Sequence, residues 1–180
     1  MRGETEYRLS VVGGELAIRA RGRRSASGLF RYVELDPRHC TTLRWAWRVE
    51  ALQPDADLSV KARDDVAASI FLLFGDPGLL LDPKPVPTLR YVWTNGQVPP
   101  ETVINSPYMP GIVRNLVVRS GTASLGRWVE EERNPAADFE TAFGHPPEDA
   151  IQAIALFTDN DQTGQPVEAY YAWASIECAD

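Results

Sequence analysis

The chain has 180 residues, 9% of them aromatic, with 18 Lys and Arg against 25 Asp and Glu and a formal charge of −7. That length suits one domain, residues 1–180, with a core large enough to need no metal or disulfide staple. The acidic balance argues against binding nucleic acid or an anionic membrane, which calls for a net or clustered positive field.

The one basic cluster, Arg19, Arg21, Arg23 and Arg24, sits at a strand end and reads as a solvated edge. No apolar run approaches the roughly 18 residues of a membrane span, so no membrane insertion is expected. The opening MRGETEYRLS lacks the apolar core of a signal peptide. The chain therefore reads either as cytosolic or as one whose leader has been removed. Cys40 and Cys178 fit one disulfide or two buried thiols, and two scattered cysteines favour thiols.

Tyr7–Val12, Gly13-Gly14 and Glu15–Arg21 predict a hairpin, because the glycines can supply the positive φ angles of a two-residue turn. Gly28–Leu35 is a second β-rich run. Thr42–Glu50 alternates clearly, with Leu43, Trp45, Trp47 and Val49 on one side and Arg44, Arg48 and Glu50 on the other. Val66–Phe74 is apolar throughout, as in a strand covered on both faces. Gly78–Pro87 reads as proline-rich loop, and Thr88–Thr94 alternates again through Leu89, Tyr91 and Trp93. Asn95–Pro110 is too polar and proline-rich for a strand, and a loop that long is a candidate for function.

Gly111–Arg119 and Arg127–Arg133 follow as strands. One helix is predicted, capped by Asn134, started by Pro135, carrying Phe139 and Phe143 on one face and ended by Gly144. Ile151–Phe157 and Val167–Glu177 complete the β content. About ten strands, one helix and no βαβ alternation predict an all-β fold. The expected form is a two-sheet antiparallel β-sandwich of jelly-roll or galactose-binding type, with one short helix.

The densest polar segment is Thr158-Asp-Asn-Asp-Gln-Thr-Gly164. Asp159, Asp161 and Thr163 match the first half of a calcium loop, but the twelfth position is Tyr170 where an EF-hand has Glu. An EF-hand is excluded, and these three residues stand as candidate ligands of a different Ca²⁺ site. A D-x-D-x-T phosphatase reading fails for want of an α/β fold. The plain alternative is a turn whose Asp and Asn side chains bond nearby amides. Asp64-Asp65 and Glu130-Glu131-Glu132 offer carboxylates for acid–base work, with ion pairing to Arg63, Arg90 or Arg133 as the plain reading. His39 and His145 lie beside prolines or turns, and no zinc or triad spacing accompanies them. Tyr91, Trp93 and Tyr108 are candidate stacking rings for a sugar, against the alternative that they fill the core.

Trp45-Ala-Trp47-Arg-Val49, Asp64-Asp65-Val-Ala-Ala-Ser-Ile-Phe, Leu89-Arg-Tyr91-Val-Trp93, Trp128 with Glu132-Arg133-Asn134, Asp138-Phe139, Phe143-Gly144 and Thr158–Thr163 form an ordered set of segments. Taken together, they are similar to an uncharacterised bacterial family, domain of unknown function 3047. The chain departs from the family pattern at Ser69, where the resemblance leads one to expect Arg. The resemblance lends no mechanism, but it implies an exported protein, periplasmic or extracellular. It also groups Asp65, Arg133, Asp138 and the Asp159–Thr163 loop as residues that converge, either on a ligand or in a buried Arg–Asp network.

The resulting expectation is a non-catalytic extracellular module binding a glycan. Its ligand residues would be Trp93, Tyr91, Tyr108, Asp65, Arg133 and Asp138, and its metal residues Asp159, Asp161 and Thr163 with Ca²⁺. The alternatives are a polysaccharide hydrolase or lyase using Asp64 or Asp65 with Glu132, and a structural or assembly module of the cell envelope. The oligomeric state is not legible.

Overall fold

The computed structural model describes residues 3–79 and 82–179. Thirteen strands and one α-helix follow one another along the described residues. One sheet holds β1 (Glu6–Val12), β2 (Glu15–Gly22), β4 (Cys40–Ala51), β11 (Val129–Arg133) and β13 (Val167–Cys178), in the order β1-β2-β13-β4-β11. The other holds β3 (Ala26–Leu35), β5 (Ala68–Phe74), β8 (Thr88–Thr94), β9 (Val103–Asn105), β10 (Val113–Ser120) and β12 (Ile151–Asp159), in the order β3-β12-β5-β8-β10-β9. A small hairpin of β6 (Gly78–Leu79) and β7 (Asp82–Pro83) stands apart.

The alternation legible in β4 and β8 builds the core between these two sheets. Trp45 stacks on Tyr91 at 5.2 Å and Trp47 packs against Trp93 at 5.9 Å, joining the sheets through four fully buried rings. The helix α1 (Pro135–Phe143) covers one end, with Phe139 4.4 Å from Phe74. Its predicted caps are in place. Asn134 Oδ1 accepts from the Ala136 and Ala137 amides, and Gly144 takes the left-handed φ of 83°.

The two-sheet sandwich with one short helix is therefore as expected, with local differences. β10 runs parallel to β8, while the other strand pairs named here are antiparallel. The long Asn95–Pro110 segment makes this possible by carrying the chain back across the sheet, and it contains the short β9 where a loop was expected. The β6–β7 hairpin likewise interrupts the expected proline-rich loop. Cys40 and Cys178, expected as thiols, form a disulfide, because the antiparallel register of β4 and β13 sets them opposite one another. No helix among the described residues is long and apolar enough to cross a membrane.

Candidate functional site

Strand alternation sorts the predicted site residues by face. Leu89, Tyr91 and Trp93 point into the core, so Arg90 points to the outer face of the six-stranded sheet. Trp93 and Tyr91 are each 0% exposed, which corrects their expected role as stacking platforms. The Trp93 indole donates to the Gly121 carbonyl (3.1 Å), and the cavity it touches, about 20 Å³, is water-sized. Tyr108 is 39% exposed, but its hydroxyl donates to the Lys61 carbonyl and its ring lies under the Lys61 ammonium.

Arg133 and Asp138 meet on the core side. Arg133 donates to both Asp138 oxygens (2.9 and 2.6 Å) and to both Glu101 oxygens (2.7 and 2.9 Å). Tyr91 Oη donates to Asp138 Oδ2 at 2.8 Å. Two carboxylates around Arg133 raise its pKa above the ordinary guanidinium value, while burial and the Asp138 charge raise that of Tyr91. This network fastens α1 and β11 to β8 and uses all three side chains internally. The expected convergence of Arg133 and Asp138 with Asp65 and the Asp159–Thr163 loop is thus corrected: Asp138 is bonded to Tyr91 on the inner face of the six-stranded sheet, whereas Asp159 is bonded to Arg90 on its outer face.

Asp65 and the Asp159–Thr163 loop do come together, around Arg90. Asp65 is 1% exposed, and its two oxygens accept the Gln162 and Thr163 amides at 3.1 and 2.6 Å. Asp159 closes β12 on the outer face. Its Oδ1 accepts the Val66 amide (3.0 Å) and Arg90 Nη2 (3.2 Å). Arg90, 5% exposed, also donates through Nε to Ser69 Oγ at 3.0 Å, so the serine takes part in the network. Desolvation pushes the Asp159 carboxyl up to about 7; Arg90 opposes this and the Asp65 charge adds to it. Asp65, Asp159 and Asp161 bring carboxylate oxygens within 4.8 Å of one another. The candidate metal set therefore exchanges Thr163 for Asp65. Thr163 contributes its amide to Asp65, and its hydroxyl accepts the Gln165 amide.

The same outer face carries a feature that sequence reasoning missed. Phe30 and Tyr32 of β3, Phe71 of β5 and Phe157 of β12, with Val86 and Met109 from flanking loops, line an open groove of about 780 Å³. Its floor is almost entirely apolar. Where the groove meets the acidic cluster, the Arg90 guanidinium lies over Phe71 and Phe157, 4.8 and 5.6 Å from the ring centres. The available signal was Phe71 and Leu73 alternating with Ile70 and Leu72. Both sets are apolar and so read as buried, but Phe71 and Leu73 are only half covered.

The hydrolase pairing of Asp64 or Asp65 with Glu132 has no shared site. Glu132 lies on the outer face of the other sheet, where Arg44 Nε donates to it at 2.6 Å. A search of the curated proteins found no match. A family model does match, over residues 1–174, and the chain belongs to that family, described as Protein of unknown function (DUF3047).

Proposed function

We propose that this chain is a non-catalytic binding module whose ligand lies in the outer-face groove and presents an elongated apolar surface, as an acyl chain does. The observation that carries the reading is the groove itself: about 780 Å³, aromatic-walled and mostly apolar, with Tyr32, Lys84 and Thr88 as the polar side chains of its lining. Small-molecule sites have volumes of this order and mostly apolar walls. Arg90 at the inner end is already paired with Asp159, so it offers little free charge to a ligand headgroup. The carboxylates suggested for hydrolysis stand on opposite faces, and Asp65 is occupied by backbone amides, which favours binding over catalysis. The Cys40–Cys178 disulfide supports an extracytoplasmic location.

A glycan is the second ligand class, favoured by the exposed rings of Tyr32 and Tyr108. The test is displacement of a fluorescent fatty acid, run beside an oligosaccharide panel. Binding in about the micromolar range, competed by unlabelled long-chain fatty acid, is the expected result. Oligosaccharide binding without fatty-acid binding would transfer the site to glycans, and silence in both arms would overturn the reading.

The assembly reading rests on a different observation. Leu9, Val11 and Leu16 fall on the core-facing side of the β1–β2 hairpin by register with Ile18, yet all three are exposed. Light scattering of the purified protein decides it, a stable dimer being the outcome that favours an interface there.

A further inference from the structure

The turn from β2 to β3 meets the loop that joins β12 to β13, and an open pocket of about 490 Å³ lies between them. Two hydrogen bonds hold its walls together. The Asn160 amide donates to the Ser25 carbonyl at 3.0 Å, and the Ser25 amide donates to Asn160 Oδ1 at 3.1 Å. Gly22 permits the close approach, since a Cβ there would stand 2.6 Å from Asn160 Oδ1. Arg21, Arg23 and Arg24 line the pocket, and Pro166 and Val167 supply apolar lining.

The basic cluster that reads from sequence as a solvated edge thus lines a cavity, in a chain of formal charge −7. Its charge is not cancelled in place. Glu168 is the acid of the lining, and its oxygens are already engaged: Arg19 Nη2 donates to Oε2 at 2.5 Å and the Tyr170 hydroxyl to Oε1 at 2.7 Å. Arg21 Nε stands 4.0 Å from the same Oε2. Among the described residues, no hydrogen bond or ion pair holds the guanidinium of Arg23 or of Arg24. Arg24 lies against the opposite wall, where a Cβ on Gly164 would be 3.2 Å from its Nε. Its φ of 53° is left-handed, a conformation that glycine adopts freely and a side chain adopts at a cost. The turn keeps an arginine where its backbone favours glycine.

We propose that this pocket binds the phosphate group of a small organic phosphomonoester, contacted by Arg21, Arg23 and Arg24. Three forked guanidinium groups match the three terminal oxygens of a phosphomonoester better than the two of a carboxylate. The volume is that of a small-molecule site and too large for the anion alone, so the organic part fills the rest against Pro166 and Val167.

The experiment is calorimetric titration with glucose 6-phosphate in phosphate-free buffer, beside inorganic phosphate and glucose. Glucose 6-phosphate should bind with a Kd below about 1 mM, inorganic phosphate more weakly and glucose not at all. Arg24→Gly removes the guanidinium and suits the local φ. It should weaken binding by at least about tenfold while the melting temperature holds or rises. Arg23→Ala, on the same exposed turn, should weaken binding similarly and decides the matter if Arg24→Gly folds poorly. No heat with glucose 6-phosphate or inorganic phosphate overturns the proposal. Equal binding of glucose overturns the assignment to phosphate, and inorganic phosphate binding as tightly as the ester overturns the role of the organic part. Binding that both variants leave unchanged overturns the assignment to this pocket. The pocket shares no lining residue with the outer-face groove, so failure here is distinct from failure of the groove reading.

Discussion

Arg90 and Tyr91 are neighbours on β8 that anchor two separate polar networks on opposite faces of one sheet. Arg90 points outward and pairs with Asp159 and Asp64; Tyr91 points inward and donates to Asp138. The pleat of a single strand keeps the two sets apart, and neither shares a hydrogen-bond partner with the other.

That separation predicts additivity. Arg90→Met leaves buried carboxylates without their cation and should cost about 3–5 kcal/mol. Tyr91→Phe removes one hydrogen bond to an acid still held by Arg133 and should cost about 1.5–3 kcal/mol. In a urea-denaturation double-mutant cycle the two should add to within about 0.5 kcal/mol. A coupling well above that would mean the networks communicate through the strand.

Alkaline unfolding should be governed by buried phenols. Burial raises the pKa of Tyr171 to about 12 and that of Tyr91 well above its usual value. Below pH 10 both folded and unfolded forms keep the proton, so this contribution is fully present. Above it the unfolded chain releases protons that the folded chain retains, and stability falls as pH rises from 10 towards 12. Tyrosinate absorbance should therefore rise in step with loss of near-ultraviolet dichroism over that window. A smooth absorbance titration with the fold intact would refute it.

Legibility followed the range of the interaction. The β4 alternation through Leu43, Trp45, Trp47 and Val49 and the Asn134–Gly144 helix caps are local signals, and the structure reproduces both. Trp93 was ambiguous because a strand pattern says which residues share a face and not what covers that face. Here Trp47 covers it from the opposite sheet. Asp159 and Asp161 were readable as an acidic turn. Asp65 joins them only through pairing of segments 93 positions apart, Val66 with Asp159. The groove was invisible for the same reason: Phe30, Phe71 and Phe157 become neighbours only once β3, β12 and β5 lie side by side.

The disulfide is equally non-local, set by the pairing of β4 with β13, and it carries its own prediction. Cys40 and Cys178 are 138 positions apart, so the bond restricts most of the unfolded chain. Replacing both by Ser should lower stability by about 2–4 kcal/mol. The β4–β13 pairing, which runs well beyond the bond, should keep the fold. Urea titration of the variant beside the oxidised wild type measures this, with thiol labelling as the check. Free thiols in protein purified without reductant, or equal midpoints, would contradict it.

The groove can be filled without touching the core. Ala155 sits on the outer face of β12, opposite Phe30 on one side and Phe71 on the other, while its neighbours Ile154 and Leu156 pack inward. Ala155→Trp should therefore place an indole over the groove floor, where open space receives it, rather than overpack the sandwich. Fatty-acid probe binding should drop by at least about tenfold, with little change in melting temperature. Inward substitution is the contrast. Leu72→Ala opens a cavity in the core and should cost about 2–5 kcal/mol. If Ala155→Trp destabilises as much as Leu72→Ala, the outer face is packed and not open. If it leaves probe binding untouched, the ligand lies elsewhere and the groove is not the site.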